Sequence, residues 1–463
     1  MSATAKAGAA VRPGSATGAG PGRILLLACA VTFLAFLDAT VVNVAFPDLR
    51  TAFPDVPLPR LTWVVSAYAV FFAALLAAAG RLADVLGRRT LFLGSTLAFT
   101  LTSLAASAAP DAGLLIAARA LQGAAAAGML PAALGLVLAH TPAERRAAAL
   151  GAWGAAGGLA AAVGPGLGGL LVEAWDWRAV FLVNVPLGTA LWYAAVRGIP
   201  ADPPGERRLP DLPGTAALAL GIGAVVAGLS QGEEWGWASA RVLVLLGGGA
   251  AAGLLALVRS RRHPAPALDL DLWRDRTFAR ANAVSLLFGA AMYAWLLTGP
   301  LFLSTHWHYP VLRAGLGVTP GAVLATAGAL LVGRLVPARL RWAVVTGGAL
   351  VFAVNCLLLW RWAEGSDGYA QVFLPAGLLG GLGIGTALTA LSTAASAALP
   401  PTRFAAGTGL LLTTRQLGGG LGVAATAALL GRDAQGFPAV FLMCGLTALA
   451  AAAAGVAMRP RTG

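Results

Sequence analysis

Charge is what this sequence has least of: only 11% of its 463 residues are Asp, Glu, Lys or Arg, against about 25% in soluble proteins. Lys6 is the single lysine among 32 basic residues. With 58% hydrophobic residues and a mean hydropathy of +0.78, the chain is not a soluble domain. Its connections are too short to hide a soluble catalytic domain. Cys29, Cys356 and Cys444 all fall inside apolar runs, so neither a disulfide framework nor a metal spacing is present. His306 and His308 are too few for a metal site. Gly383-Ile384-Gly385 follows no strand and makes no phosphate loop, so ATP is not the implied energy source and no cofactor is expected.

Apolar runs of about twenty residues recur from end to end instead, each long enough to cross about 30 Å of hydrocarbon. About fourteen spans are predicted. This is an all-α polytopic membrane protein. The arginines lie in alternate connections, and an internal N-terminus places 22 basic residues inside and 7 outside. Both termini are then cytosolic. The formal charge of +13 is topology, not a nucleic-acid face. Arg in place of Lys, with abundant Ala and Gly, points to a GC-rich bacterial genome.

An internal echo divides the chain. Gly80-Arg81-Leu82-Ala83-Asp84-Val85-Leu86-Gly87-Arg88-Arg89 leaves the second span, and Gly333-Arg334-Leu335-Val336-Pro337-Ala338-Arg339-Leu340-Arg341 leaves the tenth. Two parallel six-helix halves produce such an echo. The expected organisation is a cytosolic tail (1–23), an N-terminal six-helix half (24–198), a two-helix insert with its linkers (199–278), a C-terminal six-helix half (279–458) and a short tail (459–463). Pro337 stands where the first copy has Asp84, so any charge lock there is one-sided.

Three charged residues lie deep in the spans: Asp38, Arg119 and Arg415. An ionised group at mid-bilayer costs roughly 2.5–3.5 kcal/mol on insertion scales and usually marks a transport pathway or proton relay. A purely structural carboxylate paired within the bundle is the blander alternative. Asp38 lies about 12 Å and Arg119 about 9 Å from the outer ends of their spans at 1.5 Å per residue, which places them at one level. A neighbouring guanidinium favours an ionised carboxyl and desolvation favours a neutral one. A change in their pairing would therefore load or release a proton.

Arg415 precedes Gln416 and a small-residue run. It either faces a cavity and meets an anionic or polar solute, or clamps helices through backbone carbonyls. Asn43, Tyr68, Gln122 and Tyr293 join Arg415 and Gln416 as candidate cavity residues; Trp295 is a further aromatic candidate, and Trp63 either joins it or anchors the chain at the membrane interface. Gly164, Pro165, Gly168 and Gly169 give the fifth span a compact bend, which suits a seam between halves as well as ordinary packing. Gly80, Asp84, Gly87, Arg88 and Arg89 form a candidate cytosolic latch.

Together these motifs resemble the fourteen-span drug:H+ antiporter branch of the major facilitator superfamily. Leu37-Asp38-Ala39-Thr40-Val41-Val42-Asn43-Val44-Ala45-Phe46-Pro47 is similar to its first-helix motif, and Gly80–Arg89 to its loop motif, with Val85 in place of a basic residue. Arg119 with Gln122-Gly123 resembles the fourth-helix motif tied to proton coupling, and Gly164-Pro165 with Gly168-Gly169 the antiporter motif. Trp177-Arg178, Phe181, Asn184 and Pro186 complete the series. The resemblance implies two six-helix halves plus two extra helices. It also implies proton-driven export of small amphipathic drugs or antibiotics by a functional monomer in the bacterial cytoplasmic membrane. An importer or uniporter on the same scaffold is the alternative. A membrane enzyme would need an acid, His or nucleophile cluster at a membrane face, and the sequence shows none.

Overall fold

Without water to satisfy backbone groups, long runs of Ala, Leu, Val and Gly have the helix as their available form. The computed structural model describes residues 20–201, 211–263, 266–362, 368–430 and 436–459. The expected tails thus lie mostly outside the described residues, as do Arg207, Arg208 and Arg432.

The first six membrane helices are α1 (Pro21–Val44), α2 (Trp63–Leu86), α3 (Arg88–Ser107), α4 (Ala112–His140), α5 (Arg146–Ala174) and α6 (Asn184–Gly198). Two more follow, α7 (Leu212–Trp235) and α8 (Ala240–Ser260). The last six are α9 (Arg276–Thr305), α10 (Val311–Leu335), α11 (Arg341–Trp362), α12 (Leu374–Ala397), α13 (Phe404–Leu430) and α14 (Phe437–Val456). Among the described residues, thirteen helical segments are long and apolar enough to cross a membrane. The fourteenth crossing, α13, has 27 residues, but Arg415, Gln416 and its glycines and threonines dilute its hydropathy.

Polar side chains set several helix starts. Asp111 accepts from the Leu114 N–H at 3.0 Å, Asp211 from Gly214 at 3.0 Å and Asp275 from Phe278 at 2.9 Å. Each such cap is worth about 1 kcal/mol. Gly87, at φ 108°, turns the chain from α2 into α3 through one residue, a conformation that disfavours any side chain.

Within the first half α1 packs on α5 and α4, and α2 on α4; in the second, α9 packs on α13 and α14, and α11 on α12 and α14. The halves meet along two seams, α2 with α13 and α5 with α10. The inserted α7 lies against both α2 and α13, where Trp235 meets Trp63 with ring centroids 6.2 Å apart. Trp63 is thus engaged by the insert. Alternation puts the start of α1 and the end of α14 on one face, which also carries Arg81, Arg88, Arg89, Arg145, Arg146, Arg339 and Arg341. This is the basic face.

Candidate functional site

Asp38, Arg119, Gln122, Ser103 and Asn184 form one buried polar cluster inside the first half, with Asp38 and Asn184 fully buried and Arg119 only 1% exposed. Arg119 Nη1 donates to Asp38 Oδ2 at 2.6 Å and to Gln122 Oε1 at 2.6 Å, while its Nε donates to the Val64 carbonyl at 3.0 Å. Gln122 Nε2 donates to Asp38 Oδ1 at 2.9 Å and to Ser103 Oγ at 2.6 Å. Asn184 Nδ2 reaches the same Asp38 Oδ1 at 2.8 Å. Every group aimed at Asp38 is a donor. The arrangement fits an acceptor-only carboxylate, with two donors on Oδ1 and one on Oδ2.

The ring of Tyr68 lies 4.4 Å below the Arg119 guanidinium, and the Phe181 ring lies 5.7 Å away. Tyr68 donates its hydroxyl to the Ala35 carbonyl at 3.1 Å. Aromatic faces thus cover the cation where no further acceptor stands. Tyr68 and Gln122 were expected along a substrate cavity; both are buried members of this cluster instead. The reason is spacing: Gln122 lies three residues from Arg119 on the same helical face. Ser103 is not singled out by the sequence, and Asn184 enters it only as a member of the motif series, with no role of its own. Small polar residues in apolar helices are too common to single out, and their convergence on α1 is set by packing.

The sequence-predicted latch residues converge at the basic face. Asp84 takes Arg88 through Nη2 at 2.7 Å and Nε at 2.9 Å, and its other oxygen accepts the Ala406 N–H at 2.7 Å. Asp84 therefore caps the start of α13, a helix of the opposite half, where the helix dipole favours an anion. Arg88 also donates to the Pro401 carbonyl at 2.5 Å and the Gly135 carbonyl at 3.3 Å. Arg89 donates to the Val196 carbonyl at 3.0 Å. Gly80 lies against the backbone of Ala405, leaving no space for a side chain. On the second seam, a Cβ on Gly333 would meet the Ala147 carbonyl at 2.6 Å, and one on Gly151 the Ala329 carbonyl at 2.6 Å. Both seams are closed at this face.

Of the two readings open for the α5 glycines, seam or ordinary packing, Gly164 and Gly168 take the second. Gly164 lies against Thr40, and a Cβ on Gly168 would stand 3.2 Å from Val41 Cα, so this face packs on α1 of its own half. The contact between halves lies earlier, at Gly151 and Gly158, and at Pro165, which faces Gly315. Gly169 is half-buried.

The remaining cavity candidates are dispersed. Asn43 is exposed at the end of α1, its amide returned to the Ala39 carbonyl at 3.1 Å. Trp295 is buried within the second half, its ring centroid 6.2 Å from that of Phe352. Tyr293 packs on Gly419, one turn beyond Arg415. Gln416 is half-buried. Arg415 is 8% exposed, and its Nε and Nη2 are buried without a hydrogen-bond partner. It is on the helical face of Thr408, Leu411 and Leu412, which line a cavity of about 10 Å³ together with Trp153 and Leu134 of the first half. The Trp153 indole nitrogen also lacks a partner.

Comparison with known proteins fits this architecture. A human organic anion transporter, MFSD10, shares the fold with a TM-score of 0.71 at 15% identity, covering 94% of this chain and 99% of that one. The multidrug resistance protein Stp of Mycobacterium tuberculosis is 34% identical over 399 residues, 86% of this chain and 74% of its own. The probable actinorhodin transporter of Streptomyces coelicolor is 35% identical over 402 residues, 85% of this chain and 69% of its own. The cephamycin export protein CmcT of Amycolatopsis lactamdurans is 35% identical over 425 residues, 90% and 86% of the two chains. Residues 28–422 match the Major Facilitator Superfamily, and this multi-pass membrane protein belongs to that family.

Proposed function

We propose that this protein is an exporter, not an enzyme, that exchanges protons for small amphipathic compounds across a bacterial cytoplasmic membrane by alternating access. The observation carrying the reading is the buried Asp38 cluster, set within the half whose loop latches onto the other. Relatives named for multidrug resistance, actinorhodin transport and cephamycin export support the direction and substrate type. The basic face is read as cytosolic from its arginines. The working unit is a monomer, with protons and lipid as its other partners and no nucleic acid or cofactor.

The coupling follows from the acceptors around Arg119. A proton on Asp38 turns an acceptor into a donor, and Arg119 already has Gln122 Oε1 and the Val64 carbonyl as alternative partners. The tie between α1 and α4 then loosens. Thr40 and Val41, two and three residues beyond Asp38, are the α1 contacts of Gly164 and Gly168. Loosening α1 therefore frees α5, which forms one of the two seams. Each inward proton contributes about 2.3 kcal/mol per 100 mV. At about 150 mV this supports a gradient of a few hundredfold for one-for-one exchange of a neutral solute.

Arg415 is read as a substrate contact because its Nε and Nη2 are buried without a partner, in a half with no membrane acid. Anionic or acceptor-rich amphiphiles suit it. Expression in an efflux-deficient host, with a compound-panel susceptibility screen, tests the reading. Wild type should raise resistance to a subset of compounds and Asp38→Asn to none. Equal protection by both would sink the proton role of Asp38.

A further inference from the structure

A second feature lies away from the Asp38 cluster and the latch. At the basic face of the second half, a cavity of about 350 Å³ is lined by Arg276, Arg280, Arg341 and Arg459, with Trp342 and Met458 as apolar walls. Three separate segments bring these arginines together: the start of α9, the start of α11 and the end of the chain beyond α14. Among the described residues none of the four pairs with a carboxylate. Arg280 donates to the Ala457 carbonyl, and the Arg459 guanidinium lies 5.5 Å over the Trp342 ring. Arg341 Nε is buried and without a hydrogen-bond partner.

Orientation of the chain in the membrane needs arginines on this face, but it does not need them to converge. Like charges around one cavity repel, and a buried guanidinium nitrogen without an acceptor is costly. The matching loop of the first half carries its own anion, since Asp84 neutralises Arg88. In the second half Pro337 replaces the acid, and Ala338 beside it lines the cavity. An anion from outside the chain would supply what is missing. Guanidinium forks match phosphate oxygens in bidentate fashion. The level of the cavity, at the membrane boundary beside Trp342 and Met458, suits a headgroup whose acyl chains remain in the leaflet.

We propose that this cavity is a binding site for a phosphate-bearing anion, supplied by an anionic phospholipid of the adjoining leaflet. The purified full chain is titrated in detergent with phosphatidylglycerol, phosphatidylcholine and glycerol 3-phosphate, and bound ligand is counted by native mass spectrometry. Wild type should retain phosphatidylglycerol in preference to phosphatidylcholine. At roughly one surface-charge increment per arginine, Arg276→Gln/Arg341→Gln should bind it about thirtyfold more weakly. The exposed pair Arg261→Gln/Arg262→Gln should bind as wild type does. Arg276→Lys/Arg341→Lys keeps the charge if the glutamine variant does not fold, and should fall between the two. Equal loss in the Arg261/Arg262 variant, or no preference for phosphatidylglycerol in wild type, overturns the proposal. Glycerol 3-phosphate binding as tightly as phosphatidylglycerol overturns the lipid source and leaves a phosphate site.

Discussion

Each half of the molecule carries one arginine deep in the membrane, and the two have opposite surroundings. Arg119 has a carboxylate, an amide oxygen, a backbone carbonyl and two aromatic faces around it. Arg415 has two guanidinium nitrogens with no partner. The same contrast recurs at the basic face. Asp84 ties Arg88 to a helix of the other half, while the second loop has Pro337 and no acid. Pro337 also shortens its helix: α10 stops at Leu335, whereas α2 runs to Leu86, four positions further in the echo. Accordingly no side chain caps the start of α5 as Asp84 caps α13. In the first half Asp38 and Asp84 match Arg119 and Arg88, whereas in the second Arg415 and Arg341 keep buried guanidinium nitrogens without a partner.

That contrast can be broken most severely at Arg119. Arg119→Leu strands Asp38 and should cost about 3–5 kcal/mol, read as a lower thermal midpoint of the purified protein. Arg415→Leu should leave the midpoint unchanged or raised, because it removes an unpaired buried charge; equal destabilisation would abolish the distinction. In transport, Arg415→Gln should raise KM for anionic compounds by roughly 10- to 100-fold, the worth of one charged hydrogen bond. Neutral compounds should be affected less.

The latch sharpens the contrast with a smaller effect. Asp84→Asn removes one charge from the start of α13 and should weaken the closed seam by about 1–2 kcal/mol. Maleimide labelling of a cysteine at Thr408, buried at the seam, should then accelerate about tenfold for each 1.4 kcal/mol lost.

The smallest effect is expected at the insert. Arg259 hydrogen bonds hold the Asp211 carboxyl down at about 2, below its ordinary 3.8. A depressed acid stabilises above its ordinary value, and the contribution disappears as pH falls from about 4 to about 2. Asp211→Asn should cost about 0.5–1 kcal/mol at pH 7, since Arg259 is 40% exposed, and almost nothing near pH 2. Thermal midpoints of both proteins across that range check it.

The membrane architecture was legible because apolar length and arginine placement are local properties of the chain. The meeting of Asp38 and Arg119 was legible too, since helix rise converts sequence position into depth. Depth says nothing of azimuth. Position in the chain alone therefore leaves Gln122, Tyr68 and Trp295 free to line a cavity, whereas all three are buried. Asn184 reaches Asp38 from 146 residues away and Asp84 reaches Ala406 from 322 away, through helix packing that no local pattern encodes. The α1–α5 contact at Gly164 and Gly168 was hidden for the same reason. Small residues announce a close approach but not the partner.

The central claim is that Asp38 carries the coupled proton. Inside-out vesicles can be loaded with the compound against which wild type protects best, first with an imposed proton gradient and then without one. The account predicts that Asp38→Asn loses gradient-driven accumulation while retaining downhill exchange of the same compound. Accumulation at the wild-type level in Asp38→Asn would contradict it.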